Sequence, residues 1–205
     1  MDPSVCGRIP IRTNRDDRYL REKIQLMPKY GYSRLCENIV SSCGDLLTLK
    51  LNTDFERIRG AVDYEQLIYT GMIDRYYNYK FGRLPYRSLR FELEHHADVD
   101  YFQPQMQVNY PSVNIAYTRT IEIKHATRQE IKGTTVVKEY PVDYDGVNEP
   151  YYPIPCTESK RLYKLYKERA HMDGNVTFLG RLGTYSYYNM DQCVAMALTK
   201  IKRFL

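Results

Sequence analysis

A chain of 205 residues can bury a sizeable core in one or two domains, and 27% charged with 43% hydrophobic residues describe a folded protein, not a disordered one. The net charge of +5 does not mark a nucleic-acid binder, because basic residues are scattered and interleaved with acids, as in Arg15-Asp16-Asp17-Arg18, whereas a phosphate-tracking face needs them grouped. Five cysteines (Cys6, Cys36, Cys43, Cys156, Cys193) without CxxC spacing, no leader pattern after Met1-Asp2-Pro3 and no apolar run near the roughly 18 residues of a membrane span point to a reducing, cytoplasmic setting with no membrane partner.

In chain order, residues 33–43 read as a helix with Ser33 as N-cap and Leu35, Ile39 and Val40 on one stripe. Leu46 to Asn52 alternates apolar with polar residues and Leu67 to Thr70 is an apolar run stopped by Gly71; both read as strands. Between residues 86 and 140 come four alternating runs, Leu89–Leu93, Met106–Tyr110, Tyr117–Ile123 and Thr134–Glu139, separated by turn residues, which predicts an antiparallel sheet. Thr157-Glu158-Ser159-Lys160 opens a helix with Leu162, Leu165 and Tyr166 on one face, and residues 175–179 form a strand. The last helix, from about Met190 to Phe204, carries Met190, Val194, Ala197, Leu198 and Ile201 as a stripe for the core. The expected class is α+β, mainly an antiparallel sheet flanked by helices, in one continuous fold. The stretches run as a helical segment (about 1–43), strands (44–75), the sheet (76–155) and a helix–strand–helix return (156–205).

Twenty-one tyrosines stand against no tryptophan. Most should be half-buried rings with the hydroxyl at water or a partner. The run Gly180-Arg181-Leu182-Gly183-Thr184-Tyr185-Ser186-Tyr187-Tyr188-Asn189-Met190 is different. A strand breaks into glycines, then tyrosines, then a helix, which brings backbone, a fixed cation and a helix N-terminus to one place. His95-His96 with Asp98 and Asp100 is a poor metal set, since adjacent ligands on a polar turn point apart; it reads as a solvated loop. Asp16-Asp17, flanked by arginines, reads as an ion-pair cluster.

Ordered motifs cover nearly the whole chain. They are Gly7-Arg8-Ile9-Pro10-Ile11-Arg12, Met27-Pro28-Lys29-Tyr30-Gly31-Tyr32-Ser33, Tyr69-Thr70-Gly71-Met72-Ile73-Asp74, Phe81-Gly82-Arg83-Leu84-Pro85-Tyr86-Arg87-Ser88-Leu89, Val108-Asn109-Tyr110-Pro111, Tyr117-Thr118-Arg119-Thr120-Ile121-Glu122, Lys138-Glu139-Tyr140-Pro141, Glu149-Pro150-Tyr151-Tyr152-Pro153-Ile154 and the Gly-Arg-Leu-Gly segment. In this order they resemble the UDP-galactopyranose mutases, flavoenzymes that interconvert the pyranose and furanose forms of UDP-galactose. The family opens with a βαβ unit carrying GxGxxG for the FAD pyrophosphate, and this chain has no such motif. It therefore reads as the C-terminal half of such an enzyme, with strands and a last helix that would complete the FAD-binding domain.

The resemblance implies a chemistry in which the reduced flavin N5 attacks the anomeric carbon and expels UDP, and the sugar opens, recloses on another hydroxyl and recaptures UDP. It implies Arg8 and Arg119 as the catalytic pair that grips the diphosphate through bidentate guanidinium forks. It implies Tyr19, Asn109, Tyr152 and Tyr187 as substrate ligands, Phe55, Gly71, Arg87, Arg181, Asn189 and Met190 around FAD, and no metal. From the residues alone, Arg119 on an alternating strand is either an anion ligand or half of a structural salt bridge to Glu122 or a neighbour. The expected partners are UDP-galactose and a separate flavin-binding half, with an oligomer left open. The alternative reading is a non-catalytic remnant that keeps the fold and a UDP-sugar affinity without FAD.

Overall fold

The computed structural model describes residues 13–15 and 22–202. Its elements run α1 (Gly31–Ser42), a 3-10 turn at Gly44–Leu46, α2 (Phe55–Ile58), a second such turn at Arg59–Ala61, β1 (Leu67–Tyr69), α3 (Ile73–Tyr76) and β2 (Tyr86–His96). They continue with β3 (Gln107–Asn109), β4 (Arg119–Glu122), α4 (Lys124–Thr127), β5 (Thr134–Asp143), β6 (Tyr152–Pro153), α5 (Thr157–Asp173), β7 (Val176–Phe178), α6 (Gly180–Gly183) and α7 (Met190–Ile201). The class is α+β, as the alternation in residues 86–140 requires. Five strands lie in the order β3-β4-β5-β2-β6, with β3–β4 and β2–β6 antiparallel, while β1 and β7 form a separate parallel pair. The chain divides into two compact units, one from residues 1–52, 95–106 and 122–135 and the other from 53–94, 107–121 and 136–205.

The second unit owes its core to tyrosine. Met72, Ile73, Leu84, Tyr86, Leu162, Tyr166 and Tyr185 form one buried cluster, and Tyr69, Tyr76 and Val176 a second. A ring buries a large apolar area, but its hydroxyl must find a partner. Tyr166 donates to Gly82 O (2.6 Å), and Tyr185 reaches Pro85 O (2.7 Å) and Ile154 O (3.0 Å), so the same rings that fill the core also pin the turn leading into β2. Leu162 and Tyr166 come from α5, as the helical spacing predicts. Its first turn is capped by Cys156 and Ser159, each bonding the other's backbone N–H, and Gly174 at φ +63 ends it.

In the first unit, Glu122 and Lys124 hold an otherwise irregular region together. The fully buried Glu122 carboxylate accepts from Phe102 N and Gln103 N (3.0 Å each) and from Thr134 Oγ1 (2.5 Å), with His125 Nε2 at 3.3 Å. Burial opposes its charge, yet the bonds from Thr134 and the two backbone N–H groups outweigh burial and hold the carboxyl below its ordinary range. Lys124 Nζ donates to the carbonyls of Asp100, Ile131 and Gly133.

Four expectations are corrected. The first helix starts at Gly31, not Ser33: Gly31 N–H closes a turn onto Pro28 O at 3.0 Å and starts the helix two residues early, with Tyr30 as N-cap and no side-chain cap. Residues 46–52 are not a strand. Leu47 has extended φ/ψ, but a period-2 pattern becomes a strand only within a ladder, and these residues form none and stay exposed. The stripe on α7 is not core, since no residue of that helix is buried. His95 and His96 end β2 and do not lie in a loop; His95 Nδ1 meets Thr135 Oγ1 at 3.1 Å and His96 stacks on Phe102. No helix among the described residues is long and apolar enough to cross a membrane.

Candidate functional site

Strand alternation sets the site. In β4, Arg119 and Ile121 project to one side and Thr120 and Glu122 to the other, so of the two salt-bridge partners left open, Glu122 or a neighbour, it is a neighbour that pairs with Arg119. Arg119 Nε lies 3.2 Å from Oε1 of Glu139 on β5, and Thr118 ties the two strands through Glu139 O (2.9 Å from its N–H). Glu139 is nearly enclosed, and loss of water pushes its carboxyl up against the pull of Arg119. The pair lacks hydrogen-bond alignment at Nε, so Arg119, about a third exposed, is held by charge without having its donors used up. Asn109 sits opposite Arg119 in the β3–β4 register and accepts from Gln107 Nε2 at 3.1 Å.

Tyr152 on β6 pairs with Arg87 on β2. Its ring stacks on Tyr187 with centroids 4.9 Å apart and planes at 8°. The Arg181 guanidinium stands 4.9 and 5.0 Å from the two ring centres. That guanidinium is anchored by Tyr188 O, through Nε at 2.9 Å and Nη2 at 2.6 Å, and by Tyr151 O, through Nη1 at 3.0 Å. Arg181 therefore fastens the 185–188 turn to β6 and presents the tyrosine pair. The Tyr152 hydroxyl is pushed up first by burial, then by Tyr187 and Glu139, with Arg119 opposing, which places all four side chains in one electrostatic neighbourhood.

Of the residues singled out in the sequence, Tyr152, Tyr187 and Arg181 meet directly, Arg119 lies near enough for its charge to act on Tyr152, and Asn109 and Arg87 are the register partners of Arg119 and Tyr152. Phe55 and Gly71 belong to the aromatic cluster around Tyr69: Phe55 packs edge-on to that ring at 5.8 Å, and a Cβ on Gly71 would fall 2.7 Å from its hydroxyl. Asn189 and Met190 start α7, where Asn189 N–H donates to Gln192 Oε1 at 2.8 Å and Met190 is exposed. Arg8 and Tyr19 lie outside the described residues. Glu139 sits in the Lys138-Glu139-Tyr140-Pro141 motif, and an acid at an inward position of an alternating strand is the sequence signal for its buried role. A cavity of about 420 Å³ in the first unit, lined by Asp100, Tyr101, Lys124 and Ile131 among others, contains none of these residues. No group of three or more metal-ligating side chains occurs among the described residues.

Guanidinium groups and phenolic hydroxyls are both hydrogen-bond donors that match phosphate oxygens. The family model for UDP-galactopyranose mutase matches residues 1–187, and the chain belongs to that family. It is 37% identical over 207 aligned positions to a probable UDP-galactopyranose mutase of Klebsiella pneumoniae and 35% over 199 to a dTDP-fucopyranose mutase of Escherichia coli. To the UDP-galactopyranose mutase of Mycoplasma pneumoniae it is 33% identical over 223. These matches take in 95 to 100% of this chain but 52 to 54% of each relative, so the chain spans about half the length of the curated relatives it matches.

Proposed function

We propose that the chain supplies the diphosphate-gripping sheet of a UDP-galactopyranose mutase and works with a polypeptide that carries the GxGxxG region. The observation that carries this reading is the Arg119–Glu139 pair beside the Tyr152–Tyr187 stack, on a chain of this family. The reaction breaks and re-forms a bond between the anomeric carbon and a diphosphate oxygen, so UDP must be kept in place as leaving group and returning nucleophile. Arg119 binds the diphosphate from the sheet, with Arg8 as its counterpart. Tyr152 and Tyr187 donate hydroxyls, and Glu139 keeps the Arg119 guanidinium aimed. Reduced FAD, when bound, would supply the electron-rich atom that holds the sugar while its ring reopens. The exposed Arg87, beside Tyr152 in the sheet, suits one wall of such a cofactor, whereas Phe55 and Gly71 are fixed by packing on Tyr69 and act there as support.

The test is reconstitution with the nucleotide-binding region followed by chromatography of UDP-galactopyranose and UDP-galactofuranose. Interconversion lost in Arg119→Ala is the expected result; turnover without flavin, or turnover unaffected by that substitution, would refute the assignment. The dTDP-fucopyranose mutase similarity favours a second substrate, so dTDP-fucose belongs in the same assay.

A further inference from the structure

α6 closes in the double-bonded C-terminal turn whose left-handed position usually belongs to glycine. With Thr184 as C-cap, Tyr185 N–H returns to Leu182 O at 3.3 Å and Ser186 N–H to Arg181 O at 3.1 Å. Where α5 ends on Gly174, α6 puts Tyr185, at φ +45. That backbone is strained for a bulky aromatic residue. Of the non-glycine residues with positive φ among the described residues, Tyr185 is the one that is buried. A strained residue persists only where its surroundings over-determine it. Here the side chain does so. The ring packs on Tyr86 and Tyr163, with centroids 5.3 and 5.8 Å away, and the hydroxyl sits against Pro85 O (2.7 Å) and Ile154 O (3.0 Å). Pro85 leads into β2 and Ile154 follows β6, so one phenol ties the turn to the ends of both strands.

We propose that Tyr185 is a positioning residue that sets the Tyr187 hydroxyl beside that of Tyr152. The inference rests on the functional reading above, in which both hydroxyls meet the diphosphate. Arg181 holds Tyr151 O through Nη1 and Tyr185 holds Ile154 O, so the 181–188 turn grips the β6 segment on both sides of Tyr152, and Tyr187 stacks on Tyr152 from that turn. A glycine at 185 would make the same turn without strain but would forfeit the second grip. Tyr185 itself is buried in the core, so its effect on a ligand passes through the residue two positions on. Such support matters because hydroxyl donors serve an oxyanion only when held within fractions of an ångström of their working geometry.

The test is a double-mutant cycle in the full 205-residue chain reconstituted with the nucleotide-binding region, read by calorimetry with UDP. Tyr185→Phe keeps the ring in the core and leaves the bond from Ile154 N–H to Pro85 O (3.1 Å), so the fold stands and a urea midpoint measures any loss. This substitution should weaken UDP binding at least fivefold and speed amide exchange at Ser186 and Tyr188. In a Tyr187→Phe background it should cost less than twofold further, whereas the midpoint shift should be the same in both backgrounds. A purely structural role predicts equal losses of UDP affinity in the two backgrounds, and that result, or no loss in the first, would overturn the proposal. The two readings fail separately. Coupled losses of UDP affinity without sugar interconversion sink the mutase assignment and leave the role of Tyr185 standing, whereas interconversion with uncoupled losses does the reverse.

Discussion

Arg119 answers to two anions, the Glu139 carboxylate that is present and the diphosphate proposed for it, and substitutions separate them. Arg119→Ala should remove charge-assisted bonds to UDP, a loss of about 1.5–3 kcal/mol or roughly ten- to hundredfold in affinity by calorimetry. It also leaves Glu139 enclosed without its partner, so stability should fall, by about 1–2 kcal/mol given that the arginine is partly in water. Adding Glu139→Gln should recover most of that stability without recovering UDP binding; recovery of both would mean that the arginine served only the carboxylate. Arg119→Lys keeps the charge but not the fork, so it should bind UDP little better than alanine. The residue type at position 119 was readable from sequence but its ion-pair partner was not. Glu122, three positions away, suits a helix neighbour; in a strand an odd spacing puts it on the other face, where it is part of the first unit's hydrogen-bonded cluster.

The elements divide by where their partners are. β2, β4 and β5 were legible because the alternating runs pair with one another within this chain, and α5 because its apolar face meets tyrosines in the same unit. Residues 46–52 and the Met190–Val194–Leu198 stripe of α7 show the same patterns but stay exposed among the described residues, and periodicity cannot report that difference. β6 was not legible at all: two residues ending in Pro153 give no alternation, and only the register with Tyr86 and Arg87 makes them a strand. The Gly-Arg-Leu-Gly segment is a single helical turn, α6, and its second glycine answers to packing. A Cβ on Gly183 would sit 3.0 Å from the backbone oxygen of Tyr69, which already accepts the Leu179 N–H. Gly183→Ala should therefore destabilise by about 1–3 kcal/mol in a urea titration, as β1 and α6 are forced apart. An unchanged midpoint would show that the 180–183 turn shifts freely, which the anchored Arg181 argues against.

Across the whole molecule, buried carboxyl groups give the two units opposite responses to acid. Glu122 in the first unit is held below its ordinary range, so the folded state favours its charge; that stability is complete above about pH 4.5 and is lost as pH falls through the folded value. In the second unit, Asp74 and Glu139 are pushed up by loss of water, Asp74 with only its Oδ2 bonded, to Leu84 N–H at 2.9 Å, and its Oδ1 unpaired. There the unfolded chain releases protons first, so stability falls as pH rises from about 4 toward the folded values and is regained in acid. Going from pH 7 to pH 4, hydrogen exchange corrected for intrinsic rate should accelerate at the amides of Phe102 and Gln103, which donate to Glu122, while amides around Leu84 stay protected or gain protection. Glu122→Gln should make exchange at 102–103 fast at both pH values. Asp74→Asn, which keeps an acceptor for Leu84 and offers an N–H toward the unpaired Tyr86 hydroxyl, should raise the neutral-pH unfolding midpoint and flatten its pH dependence. If both units lost protection together in acid, the two sets of carboxyl groups would have to be titrating in one direction, and the opposed shifts assigned to Glu122 and Asp74 would be wrong.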